Sequence, residues 1–478
     1  MKKILFSLLV SLVLASSAGA QNMLGVSSSP YGGTQSLYLN PAFAADSRHS
    51  FYLNGLAGNA HISNNYVRYQ APFSLFQLAT GRVPAQYKRP DGSVEFRTEY
   101  TGEILDGKAK SGTAWTDLRG PSALFRLGDR AALGLTTRLR SSAQFSNASE
   151  EILSVFRAGL ENDALYNIPN RNNQFSTHTT TYAEAGLTLA ATLLDDGYQR
   201  LSFGATVKRL QGLTSGFLIN RGLDYRIVLN SNNINDAYLQ IDQVNAELGY
   251  STYLGDRGRS VTLRQLFDAN NPGKGWGADV GFSYQMLDEE DPTRYRFRLG
   301  AALTDLGSIR YQSSQYIQRY SIRETARRLD EDDFRDVRDI DDAARVLRDQ
   351  LTDESQNLRA YSSGLPAALS LNADFQMTGD LYLTATYLRD LRGKNAIAMH
   401  QPTLLAITPR LETGALGVAI PLLYLNRTFT AGASFRLGPV FVGTDNLIGL
   451  IASSGNALQP RGADVYAGLN IAGLRRKP

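Results

Sequence analysis

The feature that most constrains this chain is a two-residue alternation of apolar and polar side chains, repeated over segment after segment. From Tyr182 to Leu193 one parity carries Glu184, Thr188 and Thr192, and the other Ala183, Ala185, Leu187, Leu189, Ala191 and Leu193. After Asp195-Asp196-Gly197, a hairpin cue, Leu201, Phe203, Ala205 and Val207 oppose Ser202, Gly204, Thr206 and Lys208. Successive side chains of a strand point to opposite faces, so each segment has one dry and one wet face. The same device recurs at Leu133–Arg140, Gly277–Met286, Tyr295–Thr304, Leu381–Tyr387, Phe429–Leu437 and Asp464–Ile471. In the third of these, Tyr295 and Phe297 are predicted on the dry face and Arg296 and Arg298 on the wet one.

These segments reach the roughly 9–11 residues that cross a membrane at a tilt, against about 5–6 in soluble strands. A soluble sandwich would show the same alternation with the wet and dry faces exchanged. The chain's start favours the membrane. Met1-Lys2-Lys3, an apolar run from Ile4 to Ala15 and Ala18-Gly19-Ala20 predict a secretory signal over 1–20, with Gln21 as the mature start. Beyond it no apolar run is long enough for a membrane helix. There is no cysteine, hence no disulfide and no lipidation site, and a net charge of +4 is too small to argue for nucleic acid. The expected architecture is a transmembrane antiparallel β-barrel of about 14–18 strands in a bacterial outer membrane, with lipids and lipopolysaccharide around it. Turns near 128–130, 195–198, 231–236, 288–293 and 378–380 are expected at the periplasmic rim. Connections near 141–180, 254–276, 312–364 and 446–462 are expected outside.

One segment has the period of a helix. Phe334, Val337, Ile340, Ala344, Leu347 and Leu351 recur at three and four residues amid Asp330, Glu331, Asp332, Asp333, Arg335 and Arg338. It is expected in a helical outer loop, 313–364, and its residues 322–355 offer a surface to an envelope partner. A charge run of this kind is more often a solvated face.

The stretch Tyr31-Gly-Gly-Thr-Gln-Ser-Leu-Tyr-Leu-Asn-Pro-Ala-Phe-Ala-Ala-Asp46-Ser-Arg48 resembles the N-terminus of a Bacteroidota family of outer-membrane barrels of unknown function, distant relatives of the FadL fatty-acid channel and of PorV from type IX secretion. Gly275–Tyr284 with Leu303–Arg310 resembles its mid-barrel hairpin, and Leu437–Leu447 with Asp464–Leu469 its closing strands. The resemblance implies that residues 21–47 lie inside the barrel as a plug or hatch and that 48–478 form the barrel. The residues carrying the plug motif would be Gly32, Gly33, Asn40, Pro41, Ala42 and Asp46. Pro41 opposes regular pairing in a central strand, and Gly32-Gly33 permit a tight turn. The alternative is that Asn40-Pro41 only starts a turn before the first strand. The chain departs from the common barrel pattern by ending Gly473-Leu-Arg-Arg-Lys-Pro478 rather than on an aromatic residue.

Catalytic chemistry is hard to find. The histidines, His49, His61, His178 and His400, are far apart, the last two in expected loops. A Ser-His hydrolase or Asp-His protease has no local motif behind it. The acids at 330–333 and 341–342 lack a calcium-loop spacing, and no nucleotide or zinc pattern is present. No enzyme, cofactor or metal is therefore expected. Two functions remain: a FadL-like channel for small hydrophobic or amphipathic molecules through a plugged lumen, favoured slightly, and a non-transporting scaffold in secretion or cell-surface assembly.

Overall fold

The computed structural model describes residues 23–94, 97–160, 165–229, 237–253, 266, 268, 270–291, 294–330, 333, 340–351, 358–453 and 459–473. The expected signal, 1–20, lies outside them, as does the C-terminal tail beyond 473. The chain forms a closed antiparallel barrel of 14 strands. In order these are β1 (Phe51–Asn64), β2 (Lys110–Arg119, resuming at Ser122–Leu127), β3 (Ala131–Ala148), β4 (Asn170–Asp195), β5 (Gln199–Leu229), β6 (Gly273–Leu287) and β7 (Tyr295–Gln312). There follow β8 (Ala360–Gly364, resuming at Ala368–Thr378), β9 (Leu381–Asp390), β10 (Leu404–Glu412), β11 (Leu416–Ala419 and Leu422–Leu425), β12 (Thr428–Ala431 and Ala433–Leu437), β13 (Val440–Thr444) and β14 (Gly462–Ala472). Tyr52 of β1 pairs with Ala472 of β14 and closes the ring. Closure leaves no strand edge in lipid, where an unpaired amide would have no water to bond.

The faces fall as the alternation requires. Leu187, Leu189, Val207, Phe282 and Met286 are exposed on the outside, while Thr188, Thr206, Lys208 and Gln285 are buried inside. An apolar belt around a polar interior is the lipid-facing arrangement, and it excludes the sandwich, in which those same leucines would share a core. One pair departs from expectation. Tyr295 is buried in the lumen and Arg296 points out, because the β6–β7 ladder shifts register between Met286 and Leu287. A bulge of this kind turns every residue beyond it to the other face.

Both described ends of the barrel sheet, Phe51 and Ala472, lie at one rim, with the tight turns at 128–130, 196–198, 379–380 and 438–439. The other rim carries the long connections 65–109, 149–169, 313–359, 391–403 and 445–461. The first of these holds a small sheet, Val67–Tyr69 against Thr101–Glu103, and was not anticipated. One tight turn also lies there: Asn426 and Arg427 are both left-handed, φ 48° and 60°, the conformation a two-residue hairpin demands.

β4 and β5 do not stop at the rim. Residues 170–181 pair with 214–225, Gly216–Leu229 with Ala237–Ser251, and that strand with Ile317–Asp330, raising a four-stranded sheet beyond the barrel. Leu229 and Ala237 pair at the far tip of this sheet; the turn expected over 231–236 lies outside the described residues. The loop over 313–364 differs from expectation. Ile317–Asp330 is a strand, and the helix is Ile340–Leu351; residues 334–339 lie outside the described chain. Tyr320 and Ile322 alternate at two residues and join a sheet core with Tyr225, Ile241 and Leu248, against which Leu347 and Leu351 of the helix pack, and this pairing overrides a helical period there.

Candidate functional site

The barrel wall surrounds the chain's own N-terminal stretch. Residues 23–48 form a short helix, Leu24–Ser27, and two 3-10 turns, Gly33–Tyr38 and Pro41–Ala44, and nearly all of them are buried. They make no ladder pairing with the wall. Pro41 lacks the N–H that a ladder needs. Asn40 instead caps the following turn, its Oδ1 accepting from the Ala42 N–H at 2.9 Å. Gly33 has φ 56°, and a Cβ there would fall 2.6 Å from the Tyr52 ring.

The wall is cut to receive Asn40-Pro41-Ala42. Gly204 of β5 and Gly281 of β6 are cross-strand partners, and Gly300 of β7 lies opposite Ser283. A Cβ on Gly204 would stand 2.4 Å from the Ala42 nitrogen, one on Gly281 2.2 Å from Asn40 Oδ1, and one on Gly300 2.9 Å from the Phe43 ring. Into this gap Asn40 Nδ2 donates to the Phe282 carbonyl at 2.9 Å. Asp46 accepts from Ser202 at 3.2 Å and Ser283 at 2.5 Å. The Gly32 carbonyl accepts from Asn470 Nδ2 at 3.0 Å. All six motif residues thus lie buried against five different strands of the wall.

Around this stretch the polar faces carry paired charge. Nearer the turn rim, Asp374 accepts from Arg410 at 2.6 Å and Arg298 at 3.3 Å, and Arg298 also donates to the Ser28 carbonyl at 2.7 Å. Arg48 donates to Tyr31 at 3.1 Å and Tyr382 at 3.2 Å. Higher up, Asp305 accepts from Lys208 at 2.6 Å and Arg140 at 3.0 Å; Arg138 meets Glu184 at 2.8 Å, and Arg140 meets Asp117 at 3.1 Å. Asp279 holds Lys208 at 2.7 Å. Arg119 stacks over Tyr38 at 4.2 Å and donates to Gln35 at 2.6 Å, joining wall to segment. The side chains that would line a channel at this level are buried against one another. Charges on the wet parity were legible in the sequence; their partners were not, because Asp117–Arg140, Arg138–Glu184 and Arg298–Asp374 depend on the register of neighbouring strands and Arg140–Asp305 on contact across the lumen.

Outside the barrel a cavity of about 400 Å³ lies between Lys108, Asn147, Glu150, Glu151, Asn172 and Gln174. Asn147 and Asn172 have left-handed backbones, φ 60° and 52°, at bulged strand ends. Burial pushes the Glu150 carboxyl up, but Lys110 at 2.9 Å and the Asp106 and Gly107 amides hold it below the usual carboxylate range. Among the described residues no three or more His, Cys, Asp or Glu side chains are grouped to hold a metal. Asp330 and Asp342 of the acidic run pair with Arg328 and Arg345. His178, expected in a loop, is in β4 and buried, and the fold brings it beside His400.

The fold is a closed 14-stranded antiparallel barrel of the kind found in outer membranes, with residues 23–48 buried against its inner wall. The chain belongs to the family of unknown function DUF5723, whose pattern matches residues 41–445. The comparison with curated proteins finds no match. Among solved structures, the toluene transporter TodX of P. putida is similar at 11% identity and a TM-score of 0.40, covering 96% of this chain and 99% of that one. A FadL homologue of Pseudomonas aeruginosa is similar at 11% and 0.29, covering 93% of each, and the translocator domain of the autotransporter NalP from Neisseria meningitidis at 7% and 0.27, covering 88% of each. Likenesses this distant say nothing of what binds or passes here.

Proposed function

We propose that the protein is exported to the bacterial outer membrane, where it is a closed barrel that works as a scaffold through its outward sheet. The observation behind this is the filled lumen. Residues 23–48 are bonded to wall strands on several sides, and the wet faces above them neutralise one another. A solute crossing here would have to break buried ion pairs, each costing about 3–5 kcal/mol when one partner is left alone. The outward sheet, by contrast, has its own core, and it presents Ile317–Asp330, the helix Ile340–Leu351 and the 400 Å³ cavity to the outside. No catalytic role is part of this proposal.

A second reading, passage of small hydrophobic or amphipathic molecules, is favoured by one feature: the segment is held by side chains and turns, without ladder pairing, so it could leave without unzipping a strand. Proteoliposome flux separates the two. On the scaffold reading the intact barrel passes neither ions nor a labelled amphipathic solute, and removal of residues 23–47 opens it to ions. Saturable uptake by the intact barrel would overturn the scaffold reading in favour of the channel.

A further inference from the structure

Three cations stand together on the outside of the wall, at the upper edge of its apolar belt. Arg209 of β5 is the cross-strand partner of Trp276 on β6, and Lys274, two residues along β6, is the partner of Arg310 on β7. All four side chains point away from the lumen. Their strand neighbours Lys208, Leu210, Gly277 and Ile309 are buried inside, while Lys274, Trp276 and Arg310 are exposed and Arg209 is half-buried. Cross-strand partners lie about 5 Å apart and diagonal neighbours about 7–8 Å, so Lys274 adjoins both arginines.

Their height on the wall follows from strand geometry. Met286, near the turn rim, and Trp276 are both exposed and ten residues apart along β6 (286 − 276). A strand rises about 3.4 Å per residue and tilts by about 35–45°, so ten residues climb about 25 Å, the height of an outer-membrane apolar band. Between them the outward side chains of β6 are Tyr284, Phe282, Val280 and Ala278, none charged. Trp276 thus takes the place of an interfacial aromatic, and the cations stand where lipid headgroups begin.

Arg209 donates to the Gly275 carbonyl at 3.2 Å and lies over the Trp276 ring at 5.1 Å; Arg310 donates to Gln312 at 3.1 Å. Among the described residues none of the three cations is in a salt bridge, and the outward positions beside them, Gln211, Ser308 and Gln312, are neutral. Lys208, the next residue on the lumen side, has two carboxylates. Lys274 and Arg310 are like charges directly opposite on a ladder, which weakens it unless an anion lies between them.

We propose that Arg209, Lys274 and Arg310 bind the phosphate monoester of an outer-leaflet lipid whose acyl chains lie on the belt below. This rests on the outer-membrane placement of the barrel. A monoester carries up to two charges and three acceptor oxygens, which suits three cations, and a guanidinium takes two of those oxygens at once. The belt continues directly beneath the cations, so a lipid is held by chains and headgroup together, a free anion by the headgroup alone. β5 runs on from Arg209 into the outward sheet, and the bound lipid fixes the root of that sheet at the membrane surface.

The test is quenching of Trp276 by lipids with brominated acyl chains, in phosphatidylcholine vesicles holding the full-length barrel. Trp115, the other tryptophan, is buried, and a Trp276→Phe variant supplies its background. Brominated phosphatidic acid, the monoester probe, should be preferred over brominated phosphatidylcholine by at least about tenfold, and brominated phosphatidylglycerol, a diester, by less. Arg209→Gln, Lys274→Gln and Arg310→Gln should each cut the preference by up to about fivefold, the worth of one cation at an anionic surface, and the triple variant should abolish it. These side chains project from the wall, so the variants should fold, as heat-modifiable gel migration checks. Equal preference for the diester, a preference that survives in the triple variant, or displacement by inorganic phosphate at the lipid's own concentration overturns the proposal. Quenching by phosphatidylcholine with no preference overturns this site alone; no quenching by any brominated lipid overturns the membrane placement and the site with it.

Discussion

The lower barrel and the sheet above it are made from the same two strands with opposite chemistry. Along β5, the side chains facing in are Ser202, Gly204, Thr206 and Lys208 below, then Leu210, Phe217, Ile219, Tyr225 and Ile227 above. The outward face changes in the reverse sense, from Val207 to Arg221 and Arg226. The exchange falls near Gly212, where β5 gives up β6 as its neighbour and takes Ala237–Ser251. A Cβ on Gly212 would stand 2.6 Å from the Tyr311 hydroxyl, so the crossing point needs glycine. One strand thus records where lipid ends and water begins. In lipid the dry face turns out and the interior must be satisfied by pairing; in water the dry face turns in and packs.

The largest effect should come from breaking the paired interior below. Asp305 enters the lumen at a left-handed bulge, φ 53°, and faces Lys208, Arg138 and Arg140. Asp305→Ala leaves Lys208, Arg138 and Arg140 with Asp279, Glu184 and Asp117 but one buried positive charge uncompensated, and unfolding by urea in a bilayer should lose about 3–5 kcal/mol. A loss below about 1 kcal/mol would mean that water reaches this level and that the lumen is not sealed.

This interior also marks the limit of what the sequence shows. Two-residue alternation located the barrel face by face, because lipid imposes it locally on every strand, whereas Pro41 showed only that Asn40-Pro41-Ala42 would not join a ladder, and its place inside the barrel was implied by the family resemblance alone. The glycines that receive it were visible only as small residues on the wet parity. That Gly204 and Gly281 are cross-strand partners under Ala42 depends on register, which one sequence does not carry. The strand at Ile317–Asp330 was hidden for a related reason. Its arginine-rich stretch matches the charged helix beside it, and only tertiary pairing with Ala237–Ser251 makes it extended. His178 was misplaced in a loop because β4 runs 26 residues, well past a membrane's thickness.

The belt comes next in size. Leu189→Arg puts a cation on the lipid face, 57% exposed there. Near the midplane it should cost about 2–4 kcal/mol in the same unfolding assay. The cost in detergent micelles should be smaller, since a micelle deforms around the charge. Equal stability in both would place Leu189 in water and shift the boundary drawn on β5.

Arg226→Leu makes the matching change above the crossing point and should do least. Arg226 donates to Asp242 at 2.8 Å, but both side chains are more than a third exposed, at 44% and 36%. An exposed pair of this kind contributes about 0–1 kcal/mol, and its loss should vanish in high salt, where surface charges are screened. A leucine here therefore leaves the unfolding midpoint within about 0.5 kcal/mol of wild type, whereas the same residue type at 189 is what holds the barrel in lipid. If Arg226→Leu instead stabilised the bilayer-embedded protein, this face of the upper sheet would lie in lipid, and the exchange of faces at Gly212 would have to be read as a change of packing partner with no change of solvent.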